Sequence, residues 1–210
     1  MTEEQLRNLI YLCIALFAAA LIVVVVTISR RKKMGLVRHN DLSDGYKKQV
    51  AGILKRRFSL SGSRIISDFC FKNKGKIYTF DHLLVGEFGL LAVDVLLLRG
   101  ELYGEEKDDH WTNYRGDKKF LLPNLAAQTE EKVASLRAAL GKEGLYGMKI
   151  HAVSVVADQK AEIFVPDALA PMKTQQFSRY LSSSEFEKVG SIPVDKLASS
   201  LANLATEEIR

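Results

Sequence analysis

Twenty consecutive residues, Leu9 to Ile28, contain no charge, proline or glycine. At about 1.5 Å of rise per residue, a helix of that length spans about 30 Å, the thickness of a bilayer's hydrocarbon core. A secretory signal would have a shorter apolar stretch, positive charge ahead of it and a small-residue cleavage site behind it. Here the charge follows the run, as Arg30, Arg31, Lys32 and Lys33, and only Arg7 precedes it. That asymmetry predicts a single-pass protein of the cell membrane with its C-terminal domain cytoplasmic. The expected organisation is an extracytoplasmic N-terminus at residues 1–8 and a transmembrane helix at 9–28. A basic juxtamembrane linker at 29–43 and one soluble domain at 44–210 complete it.

Charge is sorted along the chain. Its net value is +3 over residues 1–33, +7 over 34–76 and −5 over 77–210. Residues 9–33 are expected to meet membrane lipid, and a basic face next to the bilayer attracts anionic headgroups. The same excess of cations over 38–76 would also suit a nucleic-acid phosphate backbone. The two cysteines, Cys13 and Cys70, cannot build a disulfide framework, and no CxxC or Cys/His cluster suggests zinc.

Beyond the linker the pattern alternates between helix and strand periods. Asp44 can cap a helix to about Phe58, with Tyr46, Val50, Ile53 and Leu54 at helical spacing and Lys47, Lys48, Lys55, Arg56 and Arg57 on its wet side. Strands are predicted at Ile65–Phe71, Lys76–Val85 and Leu90–Leu98, with shorter ones near Gly100–Tyr103 and His110–Tyr114. Asn124–Leu140 reads as a helix capped by Asn124, Met148–Val156 as a buried strand, Glu162–Val165 as a short one, and Val194–Ala205 as a closing helix. The second and third strands are apolar on both faces, as in the middle of a covered sheet. The fold class expected is α/β (α+β), a sheet with a central hairpin flanked by helices.

One residue interrupts the greasiest segment. Asp94 stands alone between Leu90-Leu91-Ala92-Val93 and Val95-Leu96-Leu97-Leu98. A buried carboxylate needs a partner, water or a cation, since burial alone costs several kcal/mol, on the order of 5. If Gly86 pairs with Gly89 across Glu87-Phe88, Asp81 lies opposite Asp94. Two carboxylates that close repel unless one is protonated or a cation sits between them. A hard divalent ion with oxygen ligands, Mg²⁺ or Mn²⁺, is the natural candidate. The structural alternative has Asp81 facing water at a strand end and Asp94 paired with Arg99 or accepting a hydrogen bond from Thr79 or a backbone amide.

The order of these features resembles the nuclease-related domain (NERD) family, which is similar to restriction endonucleases with a D…(D/E)xK site. The matching stretches are Phe80-Asp81 through Gly89, Leu90 to Leu98 with Gly100 and Gly104, then Trp111, then Asn124-Leu125-Ala126-Ala127-Gln128. The resemblance covers residues 44–157 and implies a restriction-endonuclease-like sheet. It implies Asp81 and Asp94 as metal-binding and catalytic carboxylates, and Gln128 as the catalytic site's polar helix residue. It also implies a lysine at position 96, where this chain has leucine, and an acid after Gly45, where it has Tyr46.

Leucine cannot position an attacking water or balance the charge of a phosphorane. The sequence therefore predicts a membrane-anchored domain with a degenerate catalytic site, binding at most metal or nucleic acid. Two alternatives stand beside it. One is an active Mg²⁺-dependent nuclease or phosphodiesterase whose catalytic cation has migrated, with Lys48 or Lys55 as sources if the first helix packs over the sheet. The other is a non-catalytic scaffold at the membrane surface.

Overall fold

The computed structural model describes residues 44–187 and 193–206. The expected span at 9–28 lies outside the described residues, and among those described no helix is long and apolar enough to cross a membrane.

Helix α1 (44–58) leads into strand β1 (Arg64–Asn73), then β2 (Lys76–Gly86) and β3 (Gly89–Leu96). Three short strands follow, β4 (Glu101–Tyr103), β5 (His110–Arg115) and β6 (Lys118–Pro123), and then helix α2 (Leu125–Lys142). The chain continues through β7 (Ile150–Val156), β8 (Glu162–Phe164), β9 (Met172–Lys173), α3 (Thr174–Tyr180) and α4 (Val194–Leu204). The strands form two sheets, one ordered β1-β2-β3-β7-β9 and the other β6-β5-β4-β8.

Sequence pattern located most of these elements. It did not separate the strands into two sheets, and it gave no β6, β9 or α3. Strand β3 also stops at Leu96, two residues short of the predicted end.

The first sheet is covered on both faces. Leu83, Val85, Leu90 and Ala92 pack with Leu136 and Leu140 of α2 and Leu197 and Leu201 of α4. Leu84, Leu91 and Val93 pack with Val50, Leu54 and Phe58 of α1 and Phe177 of α3. The continuous apolar runs of β2 and β3 follow from that double covering. The second sheet buries Leu102 and Trp111 against Leu125 at the start of α2. A Cβ at Gly104 would lie 2.2 Å from the Trp111 indole, so only glycine admits that ring.

The hairpin register is the one expected: Gly86 pairs with Gly89, and the ladder runs to His82 with Val93. There β2 and β3 part. β2 continues along β1 as far as Asn73 with Lys76, and β3 continues along β7 as far as Leu96 with Val156. The central sheet is thus forked, and Asp81 and Asp94 occupy the rung at which it opens.

Candidate active site

Asp81 seals the fork. Its Oδ2 accepts a 2.6 Å hydrogen bond from the Val95 backbone N–H, a donor left without a strand partner once β2 turns away. Its Oδ1 lies 2.8 Å from Lys47 Nζ of α1. On the next strand Asp68 stands across from Asp81, between the pairs Ser67–His82 and Phe69–Phe80. Its φ of 51° lies in the left-handed region that aspartate tolerates better than most residues. Strict alternation breaks along this line: Ile66, Phe69 and Phe71 share one core cluster, as do Phe80 and Leu83. The break lets Lys47 bridge both carboxylates, since Asp68 Oδ1 is also 2.8 Å from its amine. Burial pulls the Lys47 pKa down, but the two hydrogen bonds and charges outweigh it and leave the amine held firmly protonated.

Asp94 is met from α2. Ser154 is its partner on β7, and Lys132 Nζ of α2 donates to its Oδ2 at 2.7 Å. Both members of the pair are largely enclosed, at 13% and 16% side-chain exposure. Burial raises the Asp94 pKa above the ordinary carboxylate range, and the Asp81 charge adds to the rise while Lys132 opposes it. Of the alternative partners expected, Arg99 pairs instead with Asp158 at 3.7 Å, while the Asp81 backbone amide does donate to the Asp94 carboxylate.

Helix α2 presents Gln128 and Lys132 at this point. Asn124 caps it, its Oδ1 accepting from the Ala126 and Ala127 N–H groups, as its place before the apolar run suggested. Its Nδ2 donates to the Glu106 and Asp108 carbonyls, tying the helix start to the second sheet. Gln128 and Lys132 are four residues apart, on one helical face. They line a polar cavity of about 140 Å³ together with Asp81, Asp94, Thr79 and Ser154.

The structure thus brings Asp81, Asp94 and Gln128 to one place. Leu96 lines the same cavity without an amine to offer. The cations there are Lys47 and Lys132, whereas Lys48 and Lys55 are exposed on α1. Lys132 was not singled out in the sequence, because a lysine among the charges of an amphipathic helix ordinarily reads as a solvated face. Its one cue was the four-residue spacing from Gln128. His82 serves α1 and not the carboxylates, with Nε2 2.9 Å from the Lys47 carbonyl and Nδ1 3.1 Å from the Ser67 hydroxyl.

A mixed α+β domain of two sheets and, among the described residues, four helices is consistent with a nuclease-like fold. The model of the nuclease-related domain family matches residues 44–157, more than half of the chain, and the chain belongs to that family. No curated protein and no solved structure matches it.

Proposed function

We propose that this nuclease-related domain is a metal-dependent phosphodiesterase acting on nucleic acid, in which Lys132 supplies the amine that position 96 lacks. The observation that carries the reading is the shared cavity of Asp81, Asp94, Gln128 and Lys132. Two acids, an amine and an amide converge there, the amine arriving from a helix and not from the strand.

The donors suit Mg²⁺ or Mn²⁺. Both are hard carboxylate oxygens, and such ions commonly take one or two carboxylates while water and substrate phosphate complete the shell. Burial, and to a lesser extent the Asp81 charge, raises the Asp94 pKa, and a bound cation would offset that cost. Among the described residues no group of three or more His, Cys, Asp and Glu side chains is placed to hold a metal ion. Asp81 and Asp94 would hold the ion, which when bound would polarise a phosphoryl oxygen and acidify water. Lys132 would turn toward the developing phosphorane charge, a role that a preorganised amine fills in a water-poor site. Gln128 would orient a phosphate or water by hydrogen bonding. The run at 9–28 would tether this chemistry to the cytoplasmic face of the cell membrane, with the basic segment 38–76 beside lipid or nucleic acid.

A second reading draws on Lys47. Both oxygens of Asp81 are already engaged, by Lys47 and by Val95, and Asp94 is engaged by Lys132. On that reading two amines replace the metal and the site is degenerate. Purified full-length protein in detergent, given DNA and RNA oligonucleotides with Mg²⁺ or Mn²⁺, separates the two. Cleavage lost with EDTA and reduced at least 100-fold in Asp94→Asn is expected. Intact oligonucleotide and no metal binding by calorimetry would establish the degenerate site.

A further inference from the structure

A larger groove adjoins the same site. It has a volume of about 440 Å³ and runs between α2, β7 and the 167–172 loop. Leu125, Thr129 and Ser154 line both the groove and the carboxylate cavity, so the two are joined through a common wall. Ser154 is also the strand partner of Asp94.

The groove exists because its walls are small. Strand β7 lies inside the sheet, between β3 and β9, where side chains are ordinarily covered. Ala152 and Ser154 are nevertheless only half-buried. Ala126 and Thr129 of α2 and Ala170 of the loop face the same space without filling it. The lining mixes methyl and methylene groups with the charged side chains of Glu130, Arg137 and Asp167. Hydroxyls stand at the end nearest the carboxylates, where Thr129 and Ser154 are 3.4 Å apart.

Resting on the phosphodiesterase reading, we propose that this groove receives one unpaired nucleoside next to the scissile phosphate, making the preferred substrate single-stranded. Any ester held at Asp81 and Asp94 must send its organic group somewhere, and the shared wall leads here. A flat ring with polar edges suits walls that combine small apolar groups with hydroxyls and the charged side chains of Glu130, Arg137 and Asp167. The volume lies in the range of single small-molecule sites, roughly 300–1,000 Å³. A base still paired in a duplex cannot enter without leaving its stack, which costs a few kcal/mol, on the order of 3.

The test uses adenosine and thymidine, which carry no phosphate, against the full chain in detergent, with binding read by saturation-transfer NMR. Saturable binding is expected, weakened at least tenfold in Ala170→Trp and in Ala168→Trp and changed less than twofold in Asp94→Asn. With Mg²⁺, a single strand should be cut at least tenfold faster than the same strand in a blunt duplex. Nucleoside binding without cleavage would support the groove while removing the catalytic reading. Cleavage by a wild-type chain that binds neither nucleoside would overturn the groove alone, as would equal rates on single strand and duplex.

Discussion

A single hydrogen-bond donor explains much of the site. Val95 would be left with an unpaired N–H at the fork, and Asp81 takes it, so the carboxylate is held in line with the sheet. His82, one residue on, shows how neighbouring groups are tuned for structure. Its Nε2 faces a carbonyl and must donate, which makes Nδ1 the acceptor for the Ser67 hydroxyl. Burial lowers its pKa below the ordinary 6.5, so the folded chain resists a proton that the unfolded chain accepts. The contribution of neutral His82 is complete above that value and shrinks as pH falls through it. Asp94 works in the opposite sense, because a raised carboxylate pKa favours the folded state at low pH and loses that advantage as pH rises above 3.8. Denaturant midpoints from pH 8 to pH 5 should therefore fall for the wild type, and the fall should be smaller in His82→Gln. Parallel profiles for the two proteins would exclude His82 as the source.

At the scale of elements, α2 carries the site and its cap sets the helix's phase. Asn124→Ala removes the cap and both Nδ2 hydrogen bonds, an expected loss of about 2–3 kcal/mol in chemical denaturation. Asn124→Asp keeps the acceptor but not the donor and should fall between the two. Equal stability of all three would show that the cap does not fix the helix. This element was legible in sequence because Asn124 and the spacing of Leu136 and Leu140 act locally. The β2–β3 register was legible for the same reason, since Gly86 and Gly89 bracket a two-residue turn. Contacts across long separations were not. Lys132 reaches Asp94 over 38 residues and Lys47 reaches Asp81 from a different helix, and neither spacing leaves a pattern. Strand β9 has two residues and α3 has seven, too short for periodicity to speak.

At the scale of the whole molecule, the forked sheet depends on the two apolar layers that clamp its faces. Leu136 is fully buried between α2 and the sheet. Leu136→Ala should cost about 2–5 kcal/mol, measured by urea unfolding, and loosen the helix that presents Lys132. A loss below about 0.5 kcal/mol would mean that this layer is not the clamp. The central claim concerns where the amine comes from. Lys132→Ala removes it from α2, and Leu96→Lys returns one to the strand position at which the family's pattern has lysine. The most direct measurement is the Mg²⁺-dependent rate on a single-stranded oligonucleotide for the wild type, Lys132→Ala and the double substitution Lys132→Ala with Leu96→Lys. The expected result is activity in the wild type, a loss of at least 100-fold in Lys132→Ala and at least partial recovery in the double variant. Undiminished cleavage by a folded Lys132→Ala protein, or none by the wild type, would contradict it.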